Sequence, residues 1–196
     1  MTGGGLWVGR LERMRELRLP CLCSIACAFL SVASAAGQAN QRDPTVPPSG
    51  QKVILTVQGR GVQIYVCRRA GDVPTWVFVA PEATLQNGTG AEVGSHGAGP
   101  VWSLKDGSSV RGRVVAQEAS PLAGAIPWLL LESVQPKGPG VLGGARYIRR
   151  SETRGGVADA LGCDGSQLES HPGSHLGASV RVPYTATYTF YGDRPQ

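Results

Sequence analysis

The chain has 196 residues, of which 28 are glycine, with 17% charged residues and a formal net charge of +5. That length suits one domain plus processing segments. The basic residues are scattered rather than gathered into a stripe, which argues against a nucleic-acid partner.

The N-terminus reads as an address rather than as fold. Arg10, Arg13, Arg15 and Arg18 form a basic stretch, residues 19–32 are apolar and uncharged, and Ala33-Ser34-Ala35 has the spacing of a signal-peptidase site. Residues 1–35 are therefore expected to be a signal peptide, cleaved before Ala36. The apolar run is shorter than the roughly 20 residues that span a bilayer. The alternatives are an uncleaved anchor or a lipid on Cys27, although Ser24-Ile25-Ala26 lacks the leading leucine of a lipoprotein signal. The mature chain carries no transmembrane span in this reading. Its expected location is secreted, periplasmic or at the cell surface.

Cleavage removes Cys21, Cys23 and Cys27 and leaves Cys67 and Cys163. An even count in an oxidising compartment predicts one disulfide; the alternative is two unrelated buried thiols. The bridge would close a loop of about 97 residues, worth up to roughly 4.7 kcal/mol in the chain-entropy picture. Residues 36–196 hold 15 Lys and Arg against 12 Asp and Glu, a modest net charge of +3. The tightest basic group is Arg146, Arg149, Arg150 and Arg154. It would meet an anionic polymer or lipid, or else form a solvated face with Glu152 and Asp159.

Residues 36–50 are polar and Pro-rich and read as a flexible arm. Residues 51–192 read as a single β-domain. Val53, Leu55 and Val57 alternate with Ile54, Thr56 and Gln58, the period of a strand. Gly59-Arg60-Gly61 reads as a turn, and residues 62–67 as the second strand of a hairpin. Trp76-Val77-Phe78-Val79 is expected as a third strand ended by Pro81, and Asn87-Gly88 as a turn. Asn87-Gly88-Thr89 is also a glycosylation sequon in a eukaryotic secretory pathway. Residues 102–104 and 110–115 read as a hairpin around Asp106-Gly107. Residues 126–134 form an apolar strand expected to be buried on both faces. Gly138-Pro139-Gly140 breaks the chain before a strand at residues 141–149. Residues 157–161 would form one short turn, and residues 164–179 a polar loop. Residues 183–191 close the domain, with Tyr184, Ala186, Tyr188 and Phe190 on one face and Thr185, Thr187, Thr189 and Tyr191 on the other. Seven or eight short strands predict an all-β antiparallel sandwich or barrel-like domain.

The ordered strings Trp76-Val77-Phe78-Val79-Ala80-Pro81-Glu82, Gly94-Ser95-His96-Gly97-Ala98-Gly99-Pro100-Val101-Trp102 and Asp106-Gly107-Ser108 carry a resemblance. Gly124-Ala125-Ile126-Pro127-Trp128, Thr153-Arg154-Gly155-Gly156 with Gly162-Cys163, and Val182-Pro183-Tyr184-Thr185-Ala186 extend it over about residues 48–191. Together they resemble the domain-of-unknown-function family numbered 3455. The resemblance implies an exported β-rich domain with this cysteine pair, and it implies no reaction. The chain departs from the family in having Gly97 where an aromatic usually follows the histidine, and in a longer loop after Cys163.

The chemistry-bearing residues are few. A dinucleotide site would need G-x-G-x-x-G between a strand and a helix, and no such context exists around Gly59-Arg60-Gly61 or Gly88-Thr89-Gly90. No G-x-S-x-G elbow is present. His96 reads as a loop histidine, either contacting a substrate near Glu82, Trp102 or Asp106, or bonded to a backbone carbonyl. His171 and His175 have H-x-x-x-H spacing, but Pro172 and Gly173 interrupt the helix that a zinc pair needs. Trp76 and Trp128 are expected in the core, and Trp102 as a surface platform for a sugar ring.

The sequence thus favours a non-enzymatic exported domain with a binding or envelope role. Its site is expected at His96, Trp102 and Arg154, its ligand a carbohydrate or an anionic envelope component, and it needs no cofactor or metal. The second reading is a secreted enzyme, a hydrolase or a metal-dependent one, built on His96.

Overall fold

The computed structural model describes residues 43–159, Cys163 and residues 176–192. The expected signal peptide, the His171 and His175 pair and most of the polar loop after Cys163 lie outside the described residues. Eight strands follow in chain order: β1 (Lys52–Ala70), β2 (Val73–Gln86), β3 (Glu92–Gly97), β4 (Val101–Leu104), β5 (Ser109–Glu118), β6 (Trp128–Lys137), β7 (Ala145–Gly155) and β8 (Ser179–Gly192). Each pairs antiparallel with the next, and β8 pairs with β1 to close the sheet into a barrel. Closure leaves the paired part of the sheet without an edge. A short 3-10 turn, Val141–Gly144, stands between β6 and β7. It begins the segment that the sequence presents as a strand from residue 141.

The alternation expected in β8 sets the interior. Tyr184, Ala186, Tyr188 and Phe190 are buried and face into the barrel. Across the seam they meet Gly61, Gly59, Val57 and Leu55 of β1 in register. Around the sheet the inward face continues through Ala83, Leu85, His96, Trp102, Val110, Leu131 and Ile148.

Gly59-Arg60-Gly61 is not a turn. β1 runs through it as one 19-residue strand. The glycines are there for space: a Cβ on Gly59 would lie 2.5 Å from Tyr188 Cε2, and one on Gly61 would lie 2.0 Å from the Glu82 carbonyl oxygen. A side chain is absent where another ring or backbone must pass close. The same holds at Gly112, whose Cβ would lie 3.1 Å from Trp102 Cζ3.

β2 likewise runs through Pro81, which pairs with Gln63, and ends only at Gln86. Its first half is not core. β8 follows β1 only as far as Val66, and β3 pairs with β2 only from Ala83 onward. The β1–β2 hairpin therefore extends past the barrel, with Val73, Val77, Phe78 and Val79 exposed and Trp76 half-buried. Trp128 is also only half-buried, on the outer face, where Arg149 lies over its ring.

The expected disulfide joins Cys67 to Cys163, with Cα atoms 5.4 Å apart. Both half-cystines are buried. The bridge ties the base of the projecting hairpin to the chain between β7 and β8. At the N-terminal side, the arm is fastened by residues 43–45. Asp43 Oδ1 accepts bonds from the Thr45 backbone N–H and hydroxyl, and Arg149 pairs with the Asp43 carboxylate.

Interior glycine positions give a direct test. Adding a methyl to a filled core costs about 1–3 kcal/mol. Gly59→Ala is expected to lower the urea-unfolding free energy by roughly that amount. Gly88→Ala, where a Cβ meets nothing within 4 Å, is expected not to lower it. Equal effects from the two would contradict the packing at the β1–β8 seam.

Candidate functional site

His96 and Trp102 are directly opposite on β3 and β4, so both enter the interior. Their rings stack at 4.3 Å between centroids with 9° between planes. Tyr188 meets both edge-on, at 5.1 and 5.5 Å, and Phe190 meets Trp102 at 6.0 Å. Such aromatic pairs contribute roughly 0.5–1.5 kcal/mol each beyond burial. The two residues are brought together, but not where the sequence placed them. His96 lies in a strand and is 4% exposed, and Trp102 is 1% exposed. Trp102 is no surface platform. The glycines flanking the histidine suggested a loop, but the pairing of β3 with β2 and β4 extends through it.

His96 Nδ1 donates to the Val101 carbonyl oxygen at 2.9 Å, which fixes the proton on Nδ1 in the neutral ring. Burial pulls its pKa down to about 4; the bond to Val101 opposes this, and the nearby Arg150 charge adds to it. Above that pH the ring is neutral and held on three sides by aromatic and backbone neighbours. Glu82 and Asp106 are engaged elsewhere. Glu82 pairs with Arg181 at 2.8 Å, while Asp106 accepts bonds from Ser108 and from the Val141 N–H. Among the described residues no three His, Cys, Asp or Glu side chains cluster as metal ligands would.

Arg154 is exposed on the outer face of β7, opposite Thr185. Arg150 occupies the interior instead. Simple alternation would put residues 150, 152 and 154 on one face. A bulge between Ser151 and Arg154, with Glu152 at φ 51°, breaks the alternation. Arg150 stays opposite Tyr188 on the inner face, while Arg154 turns outward. Nothing in the period of the sequence marks that bulge.

The surroundings of Arg150 are donor-rich. Its Nε and Nη2 donate to the same acceptor, the Pro127 carbonyl oxygen, at 3.0 and 2.8 Å. Burial lowers its pKa, and Tyr188, Tyr184 and Tyr65 are the groups that oppose this. No carboxylate pairs with it among the described residues. The Tyr184 and Tyr188 hydroxyls lie 3.1 Å apart. Burial raises both pKa values, so both remain protonated at neutral pH. Gln63, 2% exposed, lies beside Tyr184, and its Nε2 has no hydrogen-bond partner among the described residues.

Two chain segments frame this end of the barrel. Ile126 N–H donates to the Gly155 carbonyl, Thr153 Oγ1 donates to the Ile126 carbonyl, and Ala125 bridges to Gly156. Gly156, at φ 89°, sits so close that a Cβ would lie 2.9 Å from Tyr184 Cβ and 3.2 Å from Gln63 Cγ. Tyr65 donates its hydroxyl to the Gly156 carbonyl at 2.6 Å. The bulge, the glycine and the Pro127 carbonyl together position Arg150 over the two tyrosines.

A family model described as "Protein of unknown function (DUF3455)" matches residues 48–192. No curated protein and no solved structure matches the chain.

The buried histidine predicts a pH-dependent stability. Below about pH 6.5 the unfolded chain takes up a proton that the folded protein refuses until about pH 4. Stability therefore falls as pH drops through that window, by about 3 kcal/mol for a shift of this size. Asp43 and Asp106 are held below the usual carboxylate value, despite burial, by bonds from Thr45 and Ser108, so their loss comes at lower pH. Urea unfolding at pH 7 and pH 4 is expected to show a larger drop in the parent protein than in His96→Phe. Equal drops would mean that His96 titrates freely.

Proposed function

Given that the chain belongs to the DUF3455 family, which is described only as proteins of unknown function, we propose that it is an exported, non-enzymatic binding module whose working end is the Arg150 end of the barrel. One observation carries this reading: a half-buried guanidinium stands over two tyrosine hydroxyls with no carboxylate beside it among the described residues. Leaving a desolvated cation without a counter-charge is costly, and such an arrangement suits a guest that brings its own acceptor atoms. An anionic envelope component fits that requirement better than a neutral sugar.

The locked state of His96 supports binding over catalysis. A general base must reach the proton that it takes. This imidazole is stacked on one face, and its Nδ1–H is committed to Val101. The tripartite N-terminus and the Cys67–Cys163 bridge support export, since disulfides persist in oxidising compartments.

Expression of the full chain in a host with a secretory pathway tests both parts. The exported fraction is expected to yield a chain starting at Ala36, two hydrogens lighter than the reduced mass. Native mass spectrometry after incubation with envelope extract is expected to show one extract component retained with its mass unchanged. A full-length cytoplasmic product with free thiols would overturn export. Conversion of an extract component into a product of different mass would overturn the non-enzymatic reading.

A further inference from the structure

Among the described residues, four buried side-chain polar atoms have no hydrogen-bond partner, Gln63 Nε2, Trp102 Nε1, Trp128 Nε1 and Ser133 Oγ, and three of the four are N–H donors. Gln63 Nε2 and Trp102 Nε1 are both buried N–H donors without an acceptor. Around Arg150 the imbalance grows. Its Nε and Nη2 both donate to one carbonyl, and the guanidinium also bonds the Tyr188 hydroxyl, so among the described residues five N–H groups meet only these two neutral oxygens. The two facing tyrosine hydroxyls share one hydrogen bond, and the Gln63 side chain lies beside Tyr184. Buried donors in native proteins are almost always satisfied, so an excess on one side needs an explanation.

We infer that the Arg150 end of the barrel is an oxyanion site, in which a carboxylate or phosphate group is held by Arg150, with the Tyr184–Tyr188 hydroxyl pair and the Gln63 amide as further donors. The inference rests on the reading of this end as a binding site and adds the chemical class of the ligand. The guanidinium fork matches two oxygens of a planar carboxylate or of a phosphate, and charge-assisted bonds are the stronger kind. A phenol hydroxyl donates to an anion without bringing a competing charge. Arg150 is only partly exposed, so the bonds form in a partly desolvated environment of lower effective dielectric, where they count for more than at the surface. The framing segments at Pro127 and Gly156 hold Arg150 in place before an anion arrives, which limits the ordering cost of binding.

The test uses the full chain in its disulfide-bonded form, labelled with nitrogen-15, in sodium chloride at constant ionic strength. Inorganic phosphate and acetate are titrated separately while the arginine Nε–H signals and the Gln63 side-chain amide are followed. Saturable shifts at Arg150 and Gln63 with either probe are expected. A response to acetate alone identifies a carboxylate ligand, and a response to phosphate alone identifies a phosphate. Arg150→Lys keeps the charge but loses the fork and is expected to weaken binding roughly tenfold. Tyr184→Phe is expected to weaken it severalfold, and the exposed control Arg60→Gln to leave it unchanged. No saturable shift with either probe, or equal affinity in Arg150→Lys, would overturn the inference. An uncharged envelope component retained at this end would overturn it too, while leaving the binding reading standing.

Discussion

The seam between β8 and β1 sets terms that the rest of the molecule meets. β8 points Tyr184, Tyr188 and Phe190 inward, and a closed eight-strand sheet has little interior to hold them. β1 answers with Gly61 and Gly59 opposite Tyr184 and Ala186, and the Gly59 Cβ position lies against the Tyr188 ring. With Tyr188 so placed, the stacked pair of His96 and Trp102 packs against its edge. Gly112 then makes room for the far side of Trp102. The core is thus a chain of aromatic contacts, with Gly61 opposite Tyr184, Gly59 against Tyr188 and Gly112 against Trp102. That is why a glycine-rich sequence builds a filled barrel rather than a loose one.

Much of this was legible from the residues. The alternation in residues 183–191 grouped Tyr184, Ala186, Tyr188 and Phe190 on one face of β8, and the two cysteines outside the expected signal peptide pointed to the bridge. The β4–β5 hairpin around Asp106-Gly107 also follows from its turn residues. What misled was glycine, which has two uses. In Gly59-Arg60-Gly61 it serves close approach inside a strand and was taken for turn chemistry. Around His96 it flanks a short strand and suggested an open loop. The Trp76–Val79 stretch, half-buried at Trp76 and exposed from Val77 to Val79, misled in the opposite way. Its apolar residues look like core, but no strand covers that part of the hairpin beyond the barrel on its β3 side.

The candidate site was half legible. His96 and Trp102 do meet, because the three-residue turn at 98–100 between β3 and β4 makes them cross-strand partners. Arg154 stands apart from them, exposed on the outer face of β7. The residue that enters the barrel is Arg150, and only the bulge at Glu152 separates the two faces. Tyr184 and Tyr188 share a face in the sequence pattern, but their hydroxyls gain meaning only once Arg150 and Gln63 are placed beside them. A polar group on the inner face of a barrel strand, four residues from another, is the signal that would have pointed there.

The account turns on whether Arg150 faces inward without a carboxylate of its own chain. A crystal structure of the disulfide-bonded protein soaked in selenate measures this most directly, since selenium marks an oxyanion by its anomalous signal. The account predicts an anomalous peak within hydrogen-bond distance of the Arg150 guanidinium and next to the Tyr184 and Tyr188 hydroxyls. An Arg150 paired with an Asp or Glu of its own chain, or turned to the outer face of β7, would contradict it.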